Sequence, residues 1–141
     1  KIVIRRLAQI AGDNIEVYLH RTAKDLPPQV GVMVATDDKA REVAREVAMH
    51  IAAFSPKYLS QDDIDEETIE NERRIAEETS RNEGKPEKAL PMIVEGRMKG
   101  FFKENCLLDQ PFARDPKKTV GQIVEATGGK VTAFARFRVG A

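Results

Sequence analysis

Glu83-Gly84-Lys85-Pro86 is the stretch that decides the architecture. Gly84 suits the left-handed conformation that closes a helix. Lys85 precedes a proline and is biased away from the helical region, and Pro86 suits the first turn of a new helix. Long, charged, helix-forming runs lie on both sides. The spacing therefore predicts two helices of about 20 residues each within 62–105, joined by one tight turn, an arm reaching roughly 30 Å. The remaining ~95 residues would form a body with a radius of gyration near ~13 Å, so much of the arm cannot pack on it.

The two arm helices are unequal. The second carries an apolar stripe of Leu90, Ile93, Val94, Met98, Phe101 and Phe102, whereas the first offers mainly Ile69, Ile75 and Ala76 among charges. Two readings follow: the stripe zips the hairpin together, or Leu90, Ile93, Val94 and Met98 also serve self-association. Pro91 falls inside the second helical run, where it predicts a kink costing up to ~3 kcal/mol.

Working outward, the first 60 residues carry two periodicities. Ile2 to Ile10 reads as a first strand, and Gly12-Asp13-Asn14 as a turn into the next. Asn14 to Arg21 alternates, with Ile15, Val17 and Leu19 on one face and Glu16, Tyr18 and His20 on the other, a half-buried strand. Val30, Val32 and Val34 alternate with Gly31, Met33 and Ala35, so both faces of that strand suit covering. Leu26-Pro27-Pro28 is a stiff loop between the two. The period then changes: Ala40, Val43, Ala44, Val47, Ala48, Ile51 and Ala52 recur at helical spacing, with Thr36, Asp37 and Asp38 as caps and Ser55-Pro56 as the stop. After the arm, Asp115-Pro116 predicts the start of a short helix carrying Val120, Ile123 and Val124 inward, ended by Gly128-Gly129. Lys130 to Val139 reads as a strand with Val131, Ala133, Ala135, Phe137 and Val139 on the core face and Phe134, Arg136 and Arg138 opposite. The expected fold is α+β: a small antiparallel sheet with packed helices and an inserted antiparallel helical hairpin. Residues 1–60 and 109–141 would form a discontinuous body, and 61–108 the inserted hairpin.

Composition narrows the function classes. The chain has 141 residues, enough for a real core, and its 23 basic and 23 acidic residues cancel. That balance argues against a general polyanion binder. One cysteine, Cys106, excludes an internal disulfide and fits a reducing, cytoplasmic setting. No apolar run is long enough to span a bilayer. The opening Lys1-Ile2-Val3-Ile4, without a methionine, is expected to be an internal start.

Catalytic motifs are not found. His20, His50 and Cys106 lack the paired spacing of a zinc site, no glycine-rich phosphate loop occurs, and no nucleophile elbow is present. No cofactor, metal or catalytic residue is expected. Phe134 and Phe137 point to opposite faces of a regular strand and cannot share a base-stacking platform. His20 sits beside Tyr18 before an exposed loop. His50 follows Glu42 and Glu46 at i+4 steps, which places it on the solvent side of its helix with Met49 at the edge. These residues read either as ordinary surface or as a protein-contact patch.

Several strings in fixed order then resemble one family: Met49-His50-Ile51-Ala52-Ala53 with Pro56, Glu83-Gly84-Lys85-Pro86, Val94-Glu95-Gly96-Arg97-Met98, Leu107-Leu108-Asp109-Gln110-Pro111-Phe112, Lys118-Thr119-Val120 and Phe137-Arg138-Val139-Gly140. Together they resemble translation elongation factor Ts along essentially the whole chain. The resemblance implies the C-terminal half of that factor, a core subdomain with an inserted dimerisation hairpin. It implies a homodimer and a GTPase partner, elongation factor Tu, whose GDP release the family promotes so that GTP can bind. It also implies partner contacts at Tyr18, His20, Arg21, Met49 and His50. The family's N-terminal helical domain and its Thr-Asp-Phe motif have no counterpart here; Thr36-Asp37-Asp38 lacks the phenylalanine. The loop Arg21–Gln29 is longer than in many relatives. This half would then supply docking and self-association, and the other half the wedge at the nucleotide site. Apart from the resemblance, the alternative is a scaffold that associates through its helical arm.

Overall fold

The structure is a computed structural model, and it describes residues 1–140. Strands β1 (Asn14–His20), β2 (Val30–Thr36) and β5 (Val131–Arg138) form one antiparallel sheet in the order β1-β2-β5. Helix α1 (Ala44–Phe54) lies on one face of it. The arm follows as α2 (Glu66–Asn82) and α3 (Leu90–Asn105). A two-stranded ribbon, β3 (Pro111–Phe112) with β4 (Asp115–Thr119), and helix α4 (Val120–Glu125) lead into β5. The fold is α+β, with small antiparallel sheets and a helical hairpin.

The central strand explains where the core sits. Val30, Val32 and Val34 point toward α1 and are buried against Val47, Ala48 and Ile51. Their side chains are stiff at χ1 and suit a pleated, covered surface. Val120 and Val124 of α4, with Phe112 and Leu107, close the same core. Asp37 ties two distant segments to it. Its Oδ1 accepts from the Ala40 amide at 3.0 Å, opening the turn into α1, and from the Lys130 amide at 3.1 Å, just before β5. Those two amides, Ala40 first, hold the Asp37 carboxyl below its ordinary pKa.

Four expectations about the body's strands and the start of α4 change in the folded chain. Residues 2–10 are not a strand: the segment is exposed, with Ile2, Ile4 and Leu7 in solvent. A strand needs a partner ladder, and no strand pairs with this segment among the described residues. The alternation in β1 is present, but its apolar face is the outer one: Ile15, Val17 and Leu19 are exposed, and Tyr18 packs on the α1 side. In β5 the register shifts opposite Ala35 and Thr36, so Val131 pairs with Thr36 and Ala133 with Ala35. This bulge puts Val131 and Phe134 together on the core side, where the unbroken alternation placed them on opposite faces. Arg136 shares that side, and its Nη2 donates to the Ala52 carbonyl at 3.0 Å. Finally, Asp115-Pro116 belongs to β4, and α4 starts later. Thr119 caps it, accepting from the Gln122 amide at 3.2 Å while Gln122 Oε1 accepts from the Thr119 amide at 2.9 Å. The reciprocal box Thr119-x-x-Gln122 overrides the earlier proline signal.

In the arm, α2 and α3 have 17 and 16 residues, about 25 Å each at helical rise. Gly84 adopts φ 79°, and the Lys85 amide donates to the Ser80 carbonyl at 3.1 Å, the six-to-one bond of a Schellman stop. Pro91 does not kink the second helix. A short 3-10 turn, Glu87–Ala89, follows Pro86, and α3 begins only at Leu90. Pro91 therefore sits in the first turn, where its missing N–H has no intrahelical acceptor to lose. Ala76, Val94 and Met98 are buried between the helices, flanked by Ile69, Phe101 and Phe102. At the base, segment 57–59 is stitched to the end of the arm. The Lys57 and Tyr58 amides donate to the Asn105 carbonyl, and the Leu107 amide to the Tyr58 carbonyl at 2.8 Å.

Candidate functional site

The end of β1, the last turns of α1 and the β3–β4 turn enclose a cleft of about 270 Å³ on the body. It gathers four residues that the sequence singled out, Tyr18, His20, Met49 and His50. Tyr18 and His20 are two apart on one strand and so share a face. The Tyr18 hydroxyl lies 2.9 Å from His20 Nδ1, and Arg45 stands 5.6 Å over the Tyr18 ring. A cation over a phenol ring adds a modest attraction and fixes the ring beneath an exposed His20. The Gln29 amide donates to the His20 carbonyl at 3.1 Å, pinning the strand end. Arg21 lies outside the cleft, on the loop, where its guanidinium reaches the Leu26 carbonyl.

Met49 is exposed at the rim, a soft apolar side chain suited to an adaptable contact. His50 is not. It is 1% exposed and forms the cleft's floor rather than its surface. The i+4 reading placed it with Glu42 and Glu46 in solvent, but the β3–β4 ribbon covers that part of α1. The Ala113 amide donates to His50 Nδ1 at 3.1 Å. Nδ1 is therefore the unprotonated nitrogen, and Nε2–H donates to Gln110 Oε1 at 2.8 Å. Gln110 in turn donates to the Glu104 carbonyl at 2.7 Å. The imidazole also stacks on Phe54 at 4.7 Å and Phe112 at 5.9 Å. Burial pushes its pKa below the ordinary 6.5, and the Gln110 bond opposes this only in part.

Three participants escaped the sequence reading. Phe54 is 54% exposed beside the cleft and stacks on His50, to which its i+4 spacing was the available signal. Arg114 and Glu46 form an ion pair across the cleft's side. They lie 68 residues apart, and no local pattern joins them.

The arm residues fall differently. Leu90, Val94 and Met98 are buried, and Ile93 is only partly so. The stripe is thus mostly spent inside the hairpin, and the large apolar groups left on its outside are Met92, 81% exposed, and Ile75. The ion pair Arg73–Glu95 joins the two helices, and Arg97–Glu83 and Arg81–Glu87 tie them to the connecting turn. Cys106, at the arm's end, is buried, and desolvation pushes its thiol up to about 11, so it is an inert packing group at neutral pH. Among the described residues no three His, Cys, Asp or Glu side chains gather as metal ligands, and no helix is long and apolar enough to cross a membrane.

A larger, open groove of about 800 Å³ runs along β5, with Arg6 and Leu7 on one wall. Its lining includes Arg6, Lys57, Asp63 and Arg136 and none of the residues singled out from the sequence as partner contacts.

Fold and cleft define a small α+β body that bears a helical arm and carries a cleft lined by Tyr18, His20, Met49 and His50. The profile of the family described as Elongation factor TS matches residues 1–141, and the chain belongs to that family. It is 67% identical to the elongation factor Ts of Beutenbergia cavernae, over all of this chain and 50% of that protein. It is 58% identical to the elongation factor Ts of Kocuria rhizophila, over all of this chain and 51% of that protein. Against that of Micrococcus luteus it is also 58% identical, over 99% of this chain and 51% of the relative. The chain thus spans about half the length of the curated relatives it matches.

Proposed function

We propose that this chain is the docking and arm-bearing part of a guanine-nucleotide exchange factor that acts on elongation factor Tu in translation elongation. The observation that carries the reading is the exposed His20, braced by Tyr18, beside exposed Met49 at the mouth of a cleft on the rigid body. A rim of one imidazole, one thioether and one aromatic suits a protein surface: apolar contact from Met49 and Phe54, polar contact from His20. Tyr18, His20, Met49 and Arg21 are the proposed contact residues. His50 acts from beneath.

An exchange factor works by binding the nucleotide-free GTPase better than the loaded one. This part would anchor, and the remainder of the full-length factor would disturb the nucleotide site. The arm is the proposed self-association element, and Met92, Ile75 and the edge of Ile93 are the groups it can offer, since Leu90, Val94 and Met98 are committed within the hairpin.

Release of labelled GDP from elongation factor Tu tests the assignment. The full-length factor is expected to accelerate it, and this chain alone to do so weakly or not at all. Fast release by the chain alone would overturn the division of labour. His20→Ala should weaken binding to elongation factor Tu while leaving the melting temperature unchanged.

A further inference from the structure

The strongest unexplained group in the molecule is His50, a titratable ring with two hydrogen bonds and two aromatic neighbours, buried directly under the proposed docking surface. It touches no solvent to speak of, so direct contact with a partner is closed to it. What it does touch is one wall of the cleft. Ala113 lies in the turn between β3 and β4, where the two short strands offer little ladder to hold it. The bond to Nδ1 is the tie that holds this exposed turn against α1. Arg114, the next residue, reaches across to Glu46 on α1. The ring, held from its other side by Gln110, is the fixed point from which this wall is hung.

We propose that His50 is a positioning residue for docking: its unprotonated Nδ1 orders the Ala113–Arg114 wall, and that order makes the cleft between Met49 and His20 competent for its partner. The proposal rests on the docking reading above.

Protonation is the natural disturbance. A protonated ring has no acceptor at Nδ1, so the Ala113 bond is lost. The charged and titratable groups around the ring are Glu46 on its own helix, Tyr18 and His20 from β1, and Arg114 from the β3–β4 turn. Glu46 is already paired with Arg114, so neither supplies an uncompensated charge to the imidazolium. Because folding lowers the His50 pKa, the folded chain binds fewer protons than the unfolded chain below the ordinary value. Stability then rises with pH in that window. His50's contribution is complete above about 6.5 and is lost as pH falls from there through the lowered folded value.

Two substitutions separate positioning from packing. Both lose the ring and its stacking. The Asn amide overlays the Nδ1 side of an imidazole and can still accept from Ala113; the longer Gln amide overlays the Nε2 side and cannot. Full-length factor carrying His50→Gln, His50→Asn or His20→Ala is measured for affinity to elongation factor Tu and for amide-exchange protection at Ala113. His50→Gln is expected to lower both on the order of tenfold, and His50→Asn to lower each by less than about threefold. Protection at Ala113 in the unsubstituted protein should also fall as pH drops below 6.5, and this dependence should vanish in His50→Asn. Equal losses in the Gln and Asn variants would reduce His50 to packing and overturn the proposal. So would loss of Ala113 protection in His50→Gln with unchanged affinity. If His20→Ala leaves affinity unchanged, the docking reading itself fails and takes the proposal with it. That failure is recognisable because protection at Ala113 is then still lost in His50→Gln.

Discussion

In the body, Val34, Val47 and Ile51 are fully buried where a sheet face, α1 and α4 converge from three directions. In the arm, Ala76, Val94 and Met98 are covered by a single partner helix and flanked only by half-buried Ile69, Phe101 and Phe102. The body is a three-dimensional core with redundant support. The arm is a one-layer zipper whose length comes from helix propensity, caps and one glycine stop. Binding geometry that must be exact to a fraction of an ångström belongs on the former, and reach belongs on the latter. The cleft around His20 and His50 is on the body.

The contrast can be broken by deletion on each side. Ile51→Ala removes a side chain touched from every direction and should cost about 3–4 kcal/mol. It should lower the melting temperature of the whole chain in a single calorimetric transition. If only a local region loosened, the body would not be one cooperative unit. Met98→Ala should cost about 2 kcal/mol, nearer the lower end of such changes because a two-helix seam can close on the gap. Its signature is faster amide exchange along α2 and α3 with protection in β2 unchanged. Equal loss of protection in β2 would show that the arm and body fold as one. The smallest effect belongs to the arm's surface. Arg73→Gln breaks the pair with Glu95 between two half-exposed side chains and should change stability by less than about 0.5 kcal/mol, read by urea titration with and without salt. A larger, salt-sensitive loss would make the ion-pair lace, rather than the Met98 seam, the arm's main support.

Acid should divide the two regions as well. Asp65 caps α2, accepting from the Thr68 amide at 3.0 Å, and the Thr68 hydrogen bonds hold its pKa below 3.8. A lowered carboxylate stabilises above its unfolded value and fails only as pH falls through the folded one. Acidification followed by residue-level exchange should therefore loosen the His50 cleft, starting near 6.5, well before the arm's first turn. Simultaneous loss at both would contradict the assignment of the buried imidazole.

How much of this was legible beforehand differs by residue. The Gly84 stop and the valines of β2 were readable because they depend on neighbours within a few positions. The α1 period was readable for the same reason, although its first turn is a tighter 3-10 segment, Ala40–Val43. Tyr18, His20 and Met49 were named one by one through the family resemblance, and only the fold brings them to one cleft. His50 was misplaced because the ribbon that buries it arrives from 60 residues further along the chain. Val131 and Phe134 were split onto two faces because one bulge residue is invisible to a period of two. Pro91 looked disruptive only because the 3-10 turn delays the start of α3 by a few positions.

By itself, then, the chain's local chemistry determined the two main strands before the arm, the long helices and where the hairpin turns, but not the unpaired segment 2–10 or the strand at Asp115-Pro116. Propensity, capping and hydrophobic period act over one or two turns, and they are written in adjacent residues. Only the tertiary structure decided which face of β1 is covered, whether the α3 stripe is free or spent, and that His50 is buried beneath the cleft rather than exposed on its helix. Those outcomes depend on what packs from a distance, and burial is a property of the assembled neighbours rather than of the residue.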